Sequence, residues 1–186
     1  MKKVRILFVC LVFLSGCSGK TTEVERGLAL RTRLLQASSC NFSAEITADY
    51  GENIHKFSVD CKGDESGGLS FAVTAPESIA GITGSISENG GKLTFDETAL
   101  CFELLADEQL SPVSASWVFF KTLRSGFLRA AGEEGEQLRL TFDDSYEENS
   151  MTLDIWLGQG DLPQRAEILY DGKRILSLDI QNFEIL

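Results

Sequence analysis

The sequence predicts an α+β fold in which a strongly curved antiparallel β-sheet, a half-barrel, is covered on its concave side by helices. From residue 41 onward, most apolar side chains alternate with polar ones in short segments joined by turn residues. This pattern is typical of hairpin-linked strands with one buried face. Only two segments carry apolar residues at helical spacing. Since such a sheet buries one face, the two helices are its expected cover.

The first sixteen residues have the features of a lipoprotein export signal. A basic start precedes the apolar run Ile6–Leu14, whose nine residues are far fewer than the roughly 20 that a membrane-spanning helix needs. The sequence Leu14-Ser15-Gly16-Cys17 resembles a lipobox. We therefore expect residues 1–16 to be removed and Cys17 to be diacylated, which gives a stable anchor. The alternative is an ordinary signal peptide followed by an unrelated cysteine.

The rest of the chain has the size and charge of one acidic domain. Residues 17–22 are the expected lipidated tether, and residues 23–186 are the expected single domain. Three of the 17 basic residues precede Cys17, which leaves 14 basic and 28 acidic side chains and a net charge of −14. This charge argues against nucleic-acid binding and against electrostatic adhesion to anionic lipid. We expect a protein on the cell membrane, outside the cytoplasm, held there by its lipid.

Two segments are predicted to be helices. Thr22 and Glu25 fit a capping box that begins a helix over about Glu23–Ala37. Its predicted apolar stripe consists of Val24, Leu28, Arg31 and Leu35, with Leu30 and Leu34 alongside. The second helix is predicted to begin at Ser111-Pro112 and to end at Gly126. Its predicted apolar face consists of Val113, Trp117, Phe120 and Leu123.

Alternation with a period of two predicts nine or ten strands. The first hairpin covers residues 42–48 and 55–61, and a third strand covers residues 69–73. Ile79–Ile86 is predicted as a strand, and Asn89-Gly90-Gly91 as the turn into a strand that contains Leu93 and Phe95. The last four predicted strands are Glu136–Phe142, Met151–Leu157, Gln164–Tyr170 and Lys173–Ile180.

This order of elements, together with two groups of residues, resembles the LolA/LolB-like lipoprotein-carrier family. The first group is Pro76–Ile82 followed by Gly91–Phe95. The second group lies in the last strands and consists of Trp156, Leu162-Pro163, Arg165-Ala166-Glu167-Ile168, Gly172-Lys173 and Phe183-Glu184-Ile185. The resemblance covers residues 23–185 and implies a half-barrel, closed by helices, that holds acyl chains.

For function, the resemblance implies a class of binding proteins rather than one activity. Members of the family carry lipoproteins or glycolipids, sense envelope stress, or act as germination lipoproteins in spore formers. The expected anchor at Cys17 makes this chain more similar to the anchored members than to the soluble carrier. No residue of this sequence matches the lid-locking arginine of that carrier.

Two functions follow as hypotheses. In the first, the sheet holds a lipid or lipoprotein acyl chain, and the candidate cavity residues are Phe42, Ile46, Phe57, Val59, Phe71, Trp117 and Phe120. In the second, side chains fill the interior, and the lipoprotein anchors or regulates an envelope or spore-cortex enzyme. The sequence contains no catalytic motif and no metal-ligand spacing, so we expect neither an enzyme nor a cofactor.

Two polar features of the sequence allow a structural and a functional interpretation. His55 is in phase with the buried face of its strand, where it is either a structural residue or a polar group in a cavity. The acidic cluster is either a solvated hairpin loop or a calcium site, and it consists of Asp143, Asp144, Glu147 and Glu148.

Cys40 and Cys61 are the candidate disulfide in the mature chain. A turn at Tyr50-Gly51 places the two cysteines directly opposite each other, whereas a turn at Gly51-Glu52 leaves them diagonal. Only the first register accommodates a disulfide comfortably. The alternative is a pair of small buried hydrophobic residues, and in both cases Cys101 has no cysteine partner.

The anchor can be tested directly by replacing the lipidated residue. We expect Cys17→Ala to leave an uncleaved or soluble protein that no longer partitions into the detergent phase, because the diacylated thiol is the only predicted membrane link. Phase partitioning of the variant against the parent chain measures this. Unchanged partitioning of the variant would contradict the lipoprotein interpretation.

Overall fold

A computed structural model describes residues 22–51, 53–96, 98–102, 105–106, 109–145 and 151–186 of the chain. The predicted signal peptide, Cys17 and most of the tether lie outside these residues. Within the described ranges, no helix has the length and apolar character required to cross a bilayer.

The described strands form one large open sheet and one small hairpin. Their bounds are β1 Ser39–Asp49, β2 Ile54–Asp64, β3 Leu69–Ala75, β4 Thr83–Ser87, β5 Gly90–Phe95, β6 Thr98–Phe102, β7 Leu105–Ala106, β8 Gln109–Leu110, β9 Phe127–Glu134, β10 Gln137–Asp143, β11 Thr152–Leu157, β12 Pro163–Tyr170 and β13 Lys173–Ile185. The large sheet is antiparallel, with eleven strands in the order β6-β5-β4-β3-β2-β1-β13-β12-β11-β10-β9. With its two helices it confirms the predicted α+β half-barrel.

The first and last strands join the two halves of the sheet. Ile46 of β1 lies opposite Phe57 of β2 on one side and opposite Leu178 of β13 on the other. This arrangement leaves β6 and β9 at opposite edges of the sheet, although only residues 103–126 separate them in the chain. The connection between them must therefore cross the sheet. Its described part includes a helix, Ala115–Ser125, which packs on the concave face of the sheet, here called the inner face.

Helix α1 (Glu23–Gln36) begins as predicted but packs with a different side. Thr22 accepts a hydrogen bond from the Glu25 amide, and Glu25 accepts one from the Thr22 amide, so the capping box is confirmed. The side that packs on the sheet consists of Gly27, Leu30 and Leu34. Gly27 lies so close to Leu140 of β10 that an added Cβ would be 2.9 Å from that side chain.

The predicted apolar stripe of α1 is confirmed for Leu30 and Leu34, which are buried, and wrong for its other apolar members. Val24, Leu28 and Leu35 are exposed, because the inner face is met by the adjacent row of residues, where glycine allows close approach. Arg31 belongs to the predicted stripe but extends toward the second helix rather than into the core.

Helix α2 (Ala115–Ser125) follows a 3-10 turn over Pro112–Ser114 and ends at Gly126. Its predicted single apolar face is too narrow, since eight of its eleven residues are buried: Ala115, Ser116, Trp117, Val118, Phe119, Phe120, Thr122 and Leu123. Surface helices usually bury one stripe, and a helix buried on nearly all sides lies inside a core. Here the inner face of the sheet and α1 enclose it.

Two arginines connect the helices at their carboxyl ends. Arg31 of α1 donates from Nε to the Leu123 carbonyl (2.8 Å) and from Nη2 to the Gly126 carbonyl (2.6 Å). Arg124 of α2 donates from Nη1 to the Leu34 carbonyl of α1 (3.1 Å). Each helix therefore supplies a cation to the last, otherwise unpaired carbonyls of the other, where a positive charge is favoured.

Several strand predictions also need correction. Residues 76–81 form turns rather than the start of the Ile79–Ile86 strand, so β4 begins only at Thr83. The two edge strands, β6 and β9, were not predicted. The last strand continues to Ile185 rather than to Ile180, because its end pairs with the start of β1.

Candidate functional site

The seven candidate cavity residues all lie in one packed hydrophobic core. Phe42, Ile46, Phe57, Val59, Phe71, Trp117 and Phe120 are each at most 7% exposed. Phe42 contacts the Phe119 ring edge-to-face at 5.4 Å and stacks on Phe183 at 5.8 Å. Around these seven residues, side chains of the protein itself fill the space beneath the helices.

Trp117 and Phe120 both anchor α2 to the hairpin of β2 and β3. The Trp117 indole donates from Nε1 to the Gly67 carbonyl at 3.1 Å. The Phe120 ring lies directly on Gly63, where an added Cβ would be 2.3 Å from Cζ. Both residues are therefore fixed by close contacts, which is the structural role that the sequence left open for them.

The inner face continues beyond the packed core onto β4, β5 and β6. The strand register places Ile86 opposite Gly91, Leu93 opposite Leu100, and Gly91 opposite Phe102. Residues that oppose each other directly across an antiparallel pair share one face. The apolar inner-face side chains of this end are therefore Ile86, Leu93, Phe95, Leu100 and Phe102.

Exposure along this face increases with distance from the core. Ile86 is buried, Leu93 and Phe102 are half-buried against the core, Phe95 is 52% exposed and Leu100 is 62% exposed. We call the four residues Leu93, Phe95, Leu100 and Phe102 the open end of the inner face. Contiguous exposed apolar side chains of this kind mark ligand grooves and interaction sites.

Glycines allow two aromatic rings to lie flat across this part of the sheet. Phe71 lies over Gly84 on the neighbouring strand, and Phe102 lies over Gly91, each with a ring atom within 2.6 Å of the position that a Cβ would occupy. Such aromatic cover stabilises glycines within a strand. Phe102 consequently forms the boundary between the packed core and the open end.

Sequence reasoning missed half of the open end because it missed β6. Leu93 and Phe95 were recognised as strand residues, but Leu100 and Phe102 were not assigned to any element. The available signal was the short polar turn after Phe95, which pairs Phe95 with Thr98 and puts residues 98, 100 and 102 in phase with β5.

The outer face of the same strands is polar. Lys62, Ser70, Ser85, Lys92 and Cys101 lie opposite one another in a row across β2 to β6. They line an open groove of about 1010 Å³, with the turn residues Asp64, Ser66 and Asn89 at its end. The two faces of this end of the sheet therefore differ sharply in chemistry.

The first hairpin has the diagonal register, the one of the two predicted alternatives that does not place Cys40 opposite Cys61. Cys61 pairs with Phe42 and Cys40 pairs with Gly63, so the cysteines are diagonal neighbours. Both are free thiols in this structure, which contradicts the candidate disulfide, because the pairing is shifted by two residues from the register that brings them face to face. Burial raises the pKa of each thiol to about 12.

The structure shows where His55 and the described part of the acidic cluster lie. His55 lies at the end of β2, opposite Ala48, and its side chain is exposed. Asp143 forms an ion pair with Arg129, and Asp144 accepts the Met151 amide at 2.7 Å. Glu147 and Glu148 lie outside the described residues. No cluster suited to a metal ion occurs in the part of the chain that the structure describes.

No protein-family model and no curated protein matches this chain. Solved structures match it at low identity, each of those reported below with a TM-score under 0.5. One is a putative outer membrane lipoprotein-sorting protein domain from Vibrio parahaemolyticus, at 7% identity and a TM-score of 0.48, covering 88% of this chain and 92% of that one.

Two further matches have similarly low identities and TM-scores. A LolA superfamily protein from Nitrosomonas europaea is 8% identical with a TM-score of 0.44, covering 86% of this chain and 93% of that one. A chain in the structure of the CwlD amidase from Clostridioides difficile in complex with the GerS lipoprotein is 9% identical with a TM-score of 0.43, covering 91% and 99%. At these values the likeness concerns architecture alone.

The thiols should differ strongly in reactivity. In the folded mature chain we expect only Cys101 to react rapidly with a maleimide at pH 8, since it is exposed, whereas Cys40 and Cys61 are buried and remain protonated. Mass spectrometry of the alkylated protein should show one label when folded and three when denatured without reductant. Cys101→Ser is the control and should remove the rapid label. A single label on the denatured chain would show instead that Cys40 and Cys61 are joined by a disulfide.

Proposed function

We propose that this chain is a membrane-anchored lipoprotein whose curved sheet holds a lipid or lipoprotein acyl chain, as a carrier or sensor outside the cytoplasm. In this proposal, residues 1–16 are the export signal, Cys17 carries the lipid, and residues 17–22 are the tether of a single non-enzymatic domain. The exposed apolar residues of the open end are the observation that supports ligand binding.

The open end suits an acyl chain because its side chains form one continuous apolar surface. Phe95 and Leu100 extend from the half-buried pair Leu93 and Phe102, which in turn contact the core. Each methylene removed from water contributes about 0.8 kcal/mol, so a short stretch of acyl chain on this surface would bind usefully. A ligand there would also cover apolar surface that a soluble domain otherwise leaves in water.

The open end replaces the deep cavity as the expected binding site. The predicted cavity residues are packed against one another, and Phe119 fills the centre at 0% exposed. A ligand at that depth would have to displace side chains in a close-packed core. A ligand at the open end needs only to cover apolar side chains that are already exposed.

One observation favours the second hypothesis, a regulator or anchor that binds an envelope or spore-cortex enzyme. β6 is an edge strand of the described sheet, and residues 98–102 carry no charge. An edge strand has unpaired backbone groups on one side, and proteins usually protect such edges with charges or prolines. An uncharged edge is suited to pairing with a strand of a partner.

The two faces of β6 provide a matched pair of substitutions. Leu100 points to the inner face and its neighbour Ala99 to the outer face, and both are exposed. We expect Leu100→Glu to reduce the lipid-bound fraction about tenfold or more, because burying a leucine side chain contributes about 1.5–3 kcal/mol. Ala99→Glu adds the same charge to the other face and should leave lipid binding unchanged.

Native mass spectrometry of the chain purified from cells measures the bound lipid directly. A lipid adduct on the parent chain and on Ala99→Glu, but not on Leu100→Glu, supports the acyl-chain function. An adduct-free parent that retains one specific envelope protein, lost in both variants, favours the edge-pairing function instead.

A further inference from the structure

Helix α1 exposes an apolar row that the fold does not use. Val24, Leu28 and Leu35 are 45%, 44% and 53% exposed, although the helix lies on the sheet. At 3.6 residues per turn they fall within about 40° of one another around the helix axis, and they extend along about 17 Å of it. These three residues are called the α1 row below. Such an alignment of exposed apolar side chains on one line indicates a contact surface.

No exposed charge interrupts the α1 row. Arg31 occupies the same side of the helix between Leu28 and Leu35, but its guanidinium donates to the carbonyls of Leu123 and Gly126 at the end of α2. The charge is therefore directed sideways and held between the helices. The side chains of the α1 row that face outward are therefore all apolar.

The position of the lipidated residue indicates what covers the α1 row. Thr22, the residue that caps α1, is five positions after Cys17, so a fully extended tether spans at most about 18 Å. The helix itself is about 21 Å long. A membrane that holds the Cys17 lipid therefore lies within reach of α1, which is the first element after the anchor.

The surroundings of the α1 row match a lipid surface in charge as well. Leu35 shares a groove with Lys121 and Arg124 of α2 and with Glu88 of the turn between β4 and β5. Two cations and one acidic side chain therefore line the groove beside Leu35, in a chain with 17 basic and 28 acidic side chains in all. Apolar side chains flanked by Lys and Arg are the pattern of helices that lie in a membrane interface.

We infer that α1 docks on the membrane through Val24, Leu28 and Leu35, so that the anchored domain holds a fixed orientation rather than moving freely on its tether. This inference rests on the proposed lipidation of Cys17. It extends that proposal by assigning the surface that faces the bilayer. The docked orientation presents the β6 edge, at the opposite side of the sheet from β9 and α1, to the aqueous compartment.

Tryptophan depth measurements test the inference on the lipidated full-length mature chain. Leu28→Trp places a reporter in the α1 row, and Ala29→Trp places the same reporter on an exposed part of α1 about 100° away. Each variant is bound to vesicles of phosphatidylcholine that carries bromine near the headgroup end of its acyl chains. The buried residues Trp117 and Trp156 give both variants the same background.

Leu28→Trp should lose on the order of half of its added emission, because interfacial helices insert their apolar side by about 5–10 Å, and Ala29→Trp should lose little. Equal emission loss in the two variants, or none in either, with the protein still floating with the vesicles, overturns the docking and leaves the anchor intact. If the protein does not float with the vesicles, the proposed lipid anchor is absent, and this inference fails with it. A Leu28→Trp signal that is unquenched by lipid but depends on protein concentration identifies a second copy as the occupant and overturns the docking.

Discussion

The reciprocal arginine contacts between the two helices are the interaction on which the rest of the structure depends. Arg31 satisfies the last carbonyls of α2, and Arg124 satisfies a last carbonyl of α1 and also the Glu65 carbonyl of the β2–β3 turn. Helix α1 buries only Gly27, Leu30 and Leu34, which is little apolar surface for fourteen residues. Short helices are marginal in water without such tertiary support. We therefore attribute much of the attachment of α1 to these polar contacts.

The path of the chain explains why the helices cover only part of the sheet. Because β6 and β9 lie at opposite edges, α2 has to cross the inner face, and it packs there against β2, β3, β12 and β13. Helix α1 then covers β9 and β10. The inner face of β4 to β6 lies on the far side of α2, and its apolar residues Phe95 and Leu100 remain exposed. The open end is thus a consequence of the topology.

The sequence predicted the elements better than their contacts. Period-two alternation located most strands, and the Thr22–Glu25 capping box located the start of α1, because both signals are local. The side of α1 that packs could not be read from hydrophobicity, since the packed row begins with Gly27 and the exposed row contains leucines. The register of the first hairpin depended on one turn residue, which decided between a bridged and a diagonal cysteine pair. The open end was missed because β6 is short and lies at an edge.

Hydrogen exchange of the helix amides in Arg31→Met tests most directly whether the two helices form one unit. Removing the guanidinium takes a hydrogen bond from the carbonyls of Leu123, at the end of α2, and of Gly126, which follows it, and hydrogen bonds to charged groups contribute about 1.5–3 kcal/mol each. We predict that the amides of α1 and α2 lose protection together and by a similar factor. Arg33→Met removes an arginine of the same helix that bonds only at 3.3–3.5 Å, to the Asp161 and Gly160 carbonyls, and not to α2, so it should leave the amides of α2 protected. Loss of protection in α1 alone, or in neither helix, would contradict the account.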